Sequence, residues 1–110
     1  MAALKYRLIE AYEGLNPFIL IAENVSRGQA PEQYWRRLPV AYRSVIEHLS
    51  PADLNGLIEW RDRFKREIDS VRSVRNSVAH PPALVLEDDL LATLDTVETL
   101  ARELARLGLR

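Results

Sequence analysis

Apolar residues recur every three or four positions along most of the chain, which is the spacing of one face of an α-helix. The first such region is predicted from about residue 2 to residue 25. Within it, Asn16-Pro17 resembles a helix start, so either one kinked helix or two helices are expected. A loop is predicted at residues 26–31. A second helical region is predicted over about residues 31–49, with Pro39 expected to kink or split it.

The clearest pattern runs from Ala52 to His80, where no proline interrupts the chain. Ser50 and Asp53 are placed as an N-cap and its third helical residue, close to a capping box. Pro81-Pro82 supplies a sharp stop, because the residue before a proline is pushed out of the α region. The sequence therefore predicts one uninterrupted helix, the longest of the chain, that ends within a residue or two of His80.

The apolar stripe along this third helix predicts which side chains form the core. Phe64 and Ile68 fall in its middle and are expected to be buried at the centre of the protein. A fourth helix is predicted to start near Glu87-Asp88-Asp89, whose charges suit a helix N-terminus, and to end near Gly108. No long run alternates with period two. We therefore predict an all-α fold, an antiparallel helical bundle of four to five helices, as a single domain over residues 1–110.

Composition narrows the function classes. The 110 residues are 47% hydrophobic and 28% charged, as in ordinary globular domains, and 15 basic against 16 acidic residues give a net charge of −1. A strongly basic field over the whole protein is thereby excluded, although a local basic patch is not. There is no Cys, the two His lack metal-ligand spacing, and no cofactor motif is found, so neither a metal site nor a cofactor is expected. The longest apolar run, 18–22, is too short for a membrane span, and a cytoplasmic location is expected.

Four basic residues form a row along one flank of the predicted third helix. Three of them are candidate RNA-binding residues: Arg61, Lys65 and Arg72. The alternative is a solvated helix face paired with neighbouring acids, namely Glu59, Asp62 and Asp69. Asp69 is also a candidate supporting residue, because it lies one turn before Arg72 and two turns before Asn76.

The fourth basic residue, Arg75, begins the only constellation with an evident chemistry, Arg75-Asn76 followed by His80. On a continuous helix Arg75 and His80 would lie on different faces, but the proline stop frees His80 to swing back. Arg offers a planar fork for a phosphate, and His transfers protons near neutral pH. Asn76 can orient the imidazole or hold a phosphate oxygen. These groups suffice to cleave RNA without a metal, through attack of the ribose 2′-hydroxyl.

The segment from Val74 to Pro81 resembles the signature of the HEPN superfamily, whose motif is an Arg, usually followed by Asn, Asp or His, with a His after four to six intervening residues. Arg75, Asn76 and His80 fit that motif, and it lies near the end of the penultimate long helix, as in the family. The resemblance implies a small helical domain and metal-independent ribonuclease activity that leaves a 2′,3′-cyclic phosphate. It does not assign a subfamily. One toxin subgroup carries a Tyr two positions after the motif His, which a partner modifies with AMP. This chain has Pro82 there, so that regulation is not implied.

The hypothesis is thus a HEPN-type endoribonuclease, a toxin or phage-defence effector, with Arg75, Asn76 and His80 as catalytic residues. The resemblance implies RNA as substrate, a homodimer whose two motifs line one cleft, and an antitoxin or effector-partner protein. Many HEPN domains are non-catalytic, so an interaction or nucleotide-binding module is the alternative, and an accidental motif in a helical scaffold is a third. Exposed motif residues that converge across a dimer axis favour the enzyme. Burial of Arg75 and His80 in intrachain salt bridges favours the module.

Overall fold

A computed structural model describes residues 2–25, 39–80 and 85–108, and over these residues the chain forms five helices and no strand. The helices are α1 (Ala2–Asn24), α2 (Val40–Glu47), α3 (Pro51–Arg63), α4 (Lys65–Ala79) and α5 (Glu87–Arg106). Helix α1 is central, since it packs against each of the other four. The predicted all-α helical bundle is confirmed. Among the described helices, none combines the length and the apolar character that a bilayer crossing requires.

Helix α1 is one continuous helix that passes through Pro17, which answers the question left open by the sequence. A proline inside a helix has no N–H for the carbonyl four residues earlier, here that of Glu13. The helix continues because its apolar residues are buried on both sides of the proline. These buried residues are Leu8, Tyr12, Leu15, Ile19, Ile21 and Ala22.

The second predicted helical region is described only in part. Helix α2 begins at Val40, directly after Pro39. The predicted loop at 26–31 and the predicted helical residues 31–38 lie outside the described residues. The same holds for Tyr34 and Trp35, which the pattern assigns to the core.

The third predicted helix is not uninterrupted, and this part of the prediction is wrong. Phe64 separates α3 from α4 with φ −107° and ψ 23°, although its N–H still donates to the carbonyl of Trp60 at 3.0 Å. Consequently α1, with 23 residues, is the longest described helix. No Pro or Gly stands at the break, so its cause is packing. The indole of Trp60 donates to the carbonyl of Leu100 in α5 at 3.2 Å, while Ile68 on the next helix is buried in the core.

The predicted core and helix ends are otherwise mostly confirmed. Ile68 is 1% exposed, whereas Phe64 is only partly buried beside the core, so the expectation of central burial holds for Ile68 alone. The capping box at the start of α3 is present, with the Asp53 N–H donating to Ser50 Oγ at 3.1 Å and the Ser50 N–H to Asp53 Oδ2 at 2.9 Å. Helix α5 begins at Glu87, and Gly108 follows its end with φ 76°.

Candidate functional site

The Arg-Asn-His motif lies at the C-terminal end of α4. Arg75 and Asn76 belong to the last turns of the helix, and His80 is the C-cap, with φ −124° and ψ 79°. The His80 backbone N–H donates to the carbonyl of Asn76 at 3.1 Å, and the His80 side chain is exposed. The helix thus ends where the sequence predicts, and His80 has left helical geometry.

The guanidinium of Arg75 is held by three neighbours. Its Nη2 donates to Glu13 Oε1 of α1 at 2.8 Å, and its Nη1 donates to Asn76 Oδ1 at 3.2 Å. The guanidinium carbon lies 5.5 Å from the centre of the Tyr12 ring, within the range of a cation–π contact. The Arg75 side chain is 29% exposed, but its Nε is buried without a partner. A ligand that binds this guanidinium must therefore use its terminal nitrogens and not Nε.

Arg75 and His80 differ in their environments. Arg75 forms an intrachain salt bridge with Glu13, as expected for an interaction module. His80 is exposed, as expected for an enzyme. Asn76 is exposed and joins the two, because its side chain accepts from Arg75 while its backbone carbonyl accepts from His80.

Arg72, predicted to bind RNA, is anchored to α1. Its Nη1 and Nη2 donate to the two carboxylate oxygens of Glu23 at 3.2 and 2.8 Å, and its Nε donates to the Tyr12 hydroxyl at 3.1 Å. The hydrogen bonds to Glu23 are the main cause that raises the pKa of Arg72 above its ordinary value. Arg61 reaches the same carboxylate at 3.4 Å. Glu23, rather than Asp69, is therefore the anchor of Arg72.

Asp69 instead pairs with Lys65. Lys65 Nζ lies 2.7 Å from Asp69 Oδ2, one turn apart on the exposed surface of α4. The hydrogen bond from Lys65 is the main cause that lowers the pKa of the Asp69 carboxyl below its ordinary value. Asp69 therefore supports Lys65 and makes no described contact with the motif.

Each member of the basic row has an acidic partner within the chain, so the charge of the row is largely cancelled locally. Two of these partners, Asp62 and Asp69, were expected from sequence. The residues that sequence reasoning missed are all on α1: Tyr12, Glu13 and Glu23. Tyr12 and Glu23 are 11 positions apart, about three helical turns, so they share one side of α1. That spacing could have shown that Tyr12 and Glu23 lie on the same side of α1. It could not have shown which helix packs against that side.

A groove of about 370 Å³ between α4 and α5 contains none of the motif residues. It is lined largely by hydroxyl side chains, and several of these donate to carbonyls of their own helix: Ser77 to Ser73, Thr93 to Asp89 and Thr96 to Ala92. These three hydroxyls are satisfied within their own helices, and Asp89 is the one ionisable side chain of the described lining. Within residues 2–25, 39–80 and 85–108, no group of three or more His, Cys, Asp and Glu side chains could hold a metal ion.

Comparison of the chain with protein-family models, with curated proteins and with solved structures finds no significant match. The resemblance to the HEPN superfamily therefore rests on the sequence motif and on its place before the final helix.

Proposed function

We propose that this protein is a metal-independent endoribonuclease of HEPN type. The observation that supports the proposal is the contact at 3.2 Å between Arg75 and Asn76, next to an exposed His80 at the end of α4. A fixed cation, an amide and an exposed histidine thus lie within the six residues 75–80 at this helix end. These are the groups that phosphate transesterification requires.

In the proposed reaction, the terminal nitrogens of Arg75 bind the scissile phosphate. His80 removes the proton of the ribose 2′-hydroxyl, whose oxygen attacks the adjacent phosphorus. The bond from phosphorus to the 5′-oxygen breaks, and an acid protonates that oxygen as it leaves. The products are a 2′,3′-cyclic phosphate and a 5′-hydroxyl, and Arg75 stabilises the extra negative charge between these steps. Asn76 orients the guanidinium and the helix end.

The reaction needs both a base and an acid, and each chain has one motif His. The other His of the chain, His48, lies 32 positions earlier and directly after α2. A homodimer with its two-fold axis beside α4 and the loop after it would supply a second His80 to one cleft, and closed two-fold dimers are the commonest oligomers. The role we propose is that of a cytoplasmic toxin or phage-defence effector, controlled by an antitoxin or another partner protein.

The second candidate is a non-catalytic HEPN module that binds a protein or a nucleotide. The observation that favours it is the salt bridge of Arg75 with Glu13, together with the intrachain pairing of Arg61, Lys65 and Arg72. A surface whose cations are already neutralised attracts RNA less strongly than a free basic row would. The two candidates differ in whether purified protein breaks RNA.

The test is incubation of the purified protein with RNA in EDTA, with analysis of the ends of the products. We expect cleavage that leaves cyclic phosphates. Arg75→Ala and His80→Ala should each reduce the rate by orders of magnitude without loss of fold, whereas His48→Ala is the matched control and should keep it. Arg75→Lys should also be poor, because an ammonium lacks the bidentate fork.

Cleavage by His80→Ala at the normal rate would remove this mechanism. Intact RNA after incubation with a folded protein would favour the non-catalytic module. The dimer is tested separately, by light scattering and by a mixed dimer of one wild-type chain and one His80→Ala chain. Full activity of that mixed dimer would contradict a shared cleft.

A further inference from the structure

The contact between Glu13 and Arg75 joins an exposed carboxylate of α1 to the residue that is proposed to bind phosphate. We infer that Glu13 is a releasable internal counter-ion, which neutralises Arg75 in the free protein and is displaced when a phosphate of a nucleic acid binds. The inference rests on the proposed function only in taking Arg75 as the phosphate-binding group. It does not require that the protein cleave RNA.

The geometry of the contact is that of a weak, reversible pair. Glu13 uses one oxygen, Oε1, on one nitrogen, Nη2, and its side chain is 45% exposed. Arg75 is the one described partner of this carboxylate. Exposed ion pairs of this kind contribute little to stability, since water replaces the partner readily. Glu13 can therefore turn away into solvent, and the partly buried Arg75 that it leaves still has Asn76 and the Tyr12 ring as neighbours.

The neighbouring pair of Arg72 with Glu23 is held much more firmly. Glu23 is only 20% exposed, binds Arg72 through both oxygens and also contacts Arg61. Among the described contacts, displacement of that carboxylate would leave the partly buried Arg72 with only the Tyr12 hydroxyl and Arg61 with only Asp62, which is costly. The basic row thus contains a fixed pair, Arg72 with Glu23, and a releasable pair, Arg75 with Glu13.

Arg75 stays in place when Glu13 leaves. Asn76 Oδ1 still accepts from Nη1, and the Tyr12 ring still lies against the guanidinium. Because Nε is buried, an incoming phosphate must bind the terminal nitrogens, and Nη2 is the one that Glu13 occupies. The carboxylate and the phosphate therefore compete for the same donor.

Glu13→Gln isolates this competition, because glutamine keeps the shape and one acceptor oxygen but loses the charge. An exposed ion pair of typical strength corresponds to about three- to fivefold in an equilibrium constant. We therefore expect Glu13→Gln to bind a nucleic acid about three- to fivefold more tightly than the wild type. Its affinity should also fall more steeply with salt, by a slope of about 0.7, because in the wild type the freed Glu13 takes up a cation that offsets the one released from the phosphate.

The experiment measures fluorescence anisotropy of a labelled octanucleotide with 2′-O-methyl riboses. This probe cannot be cleaved by 2′-hydroxyl attack, so binding is separated from catalysis. The matched control is Glu10→Gln. Glu10 lies on α1 three positions before Glu13, is exposed and forms no described ion pair, so the substitution removes a charge that has no described partner. Both substitutions are also made in an Arg75→Ala background. The gain from Glu13→Gln should vanish there, since it acts through Arg75.

Several results would overturn the inference. These are unchanged or weaker binding by Glu13→Gln, an equal gain from Glu10→Gln, a gain that persists in the Arg75→Ala background, or no binding of the probe by Glu13→Gln at all. Failure of the ribonuclease proposal is detected in the separate cleavage assay, in which unmodified RNA would remain intact after incubation with the protein. If Glu13→Gln binds the probe more tightly but the protein leaves RNA intact, the counter-ion role of Glu13 stands and the ribonuclease proposal is wrong.

Discussion

The carboxylate of Glu23 should be a principal polar support of the fold, and Glu23→Gln tests this. It binds Arg72 at 2.8 and 3.2 Å and Arg61 at 3.4 Å, and so joins α1 to α3 and α4. Glutamine has nearly the same shape, retains one acceptor oxygen and lacks the charge. The substitution therefore removes the charge-assisted part of these bonds and leaves the packing of α1 unchanged.

The magnitude follows from the exposure of the three side chains, which is 20% for Glu23, 31% for Arg72 and 23% for Arg61. Breaking a fully buried pair costs about 3–5 kcal/mol, and an exposed pair contributes about 0–1 kcal/mol. This partly exposed group lies between the two limits, so we expect a loss of about 2 kcal/mol in the free energy of unfolding. For a domain of this size the melting temperature should fall by about 8–10 °C.

Urea unfolding followed by circular dichroism at the helix band measures this loss, and the dependence on urea should keep its wild-type slope. Glu10→Gln, an exposed acid of the same helix, is the control and should change stability by less than about 0.5 kcal/mol. A double-mutant cycle with Arg72→Gln should show a coupling above about 1 kcal/mol. A loss for Glu23→Gln no larger than that of the control would show that the Glu23 carboxylate does not support the fold.

Two further predictions concern side-chain packing and backbone conformation. Ile68→Ala should lower the free energy of unfolding by about 2–5 kcal/mol, measured in urea, because Ile68 is 1% exposed. Phe64→Ala should lower it less, because Phe64 is only partly buried, and the reverse order would contradict the assigned core. Gly56→Ala should stabilise the protein by about 0.5–1 kcal/mol, since it lies inside α3 and the added Cβ would meet Leu107 at an ordinary 3.6 Å. Gly108→Ala should destabilise it because of the positive φ at Gly108, and thermal melts of both variants check the two signs.

Local chemistry made several features readable from the sequence. The capping box of Ser50 with Asp53, the end of α4 before Pro81-Pro82 and the end of α5 near Gly108 depend on a few neighbouring residues. The helical class follows from the period of the apolar residues, which also predicted the burial of Ile68. The motif Arg75-Asn76 with His80 was visible for the same reason, since a short segment contains all of it.

The path of the long helices was decided by tertiary packing. Nothing local to Phe64 explains the interruption between α3 and α4, because neither Pro nor Gly is present there. Trp60 bonds across to α5 on one side of the break, and Ile68 enters the core on the other. Likewise, Pro17 lies within a single helix because buried side chains before and after it hold α1 together.

The ion-pair partners of the arginines at the candidate site could not be predicted from the sequence either. Arg72 and Glu23 are 49 positions apart, and Arg75 and Glu13 are 62 apart. A side chain's choice of partner depends on which helix packs beside it, and periodicity within one helix contains no such information. The sequence alone showed that the four basic residues of the row and the Arg-Asn-His motif lie close together between residues 61 and 80. Only the packing of α1 against them decided that acids neutralise the row, because it brings Glu13 and Glu23 within hydrogen-bonding distance of the arginines.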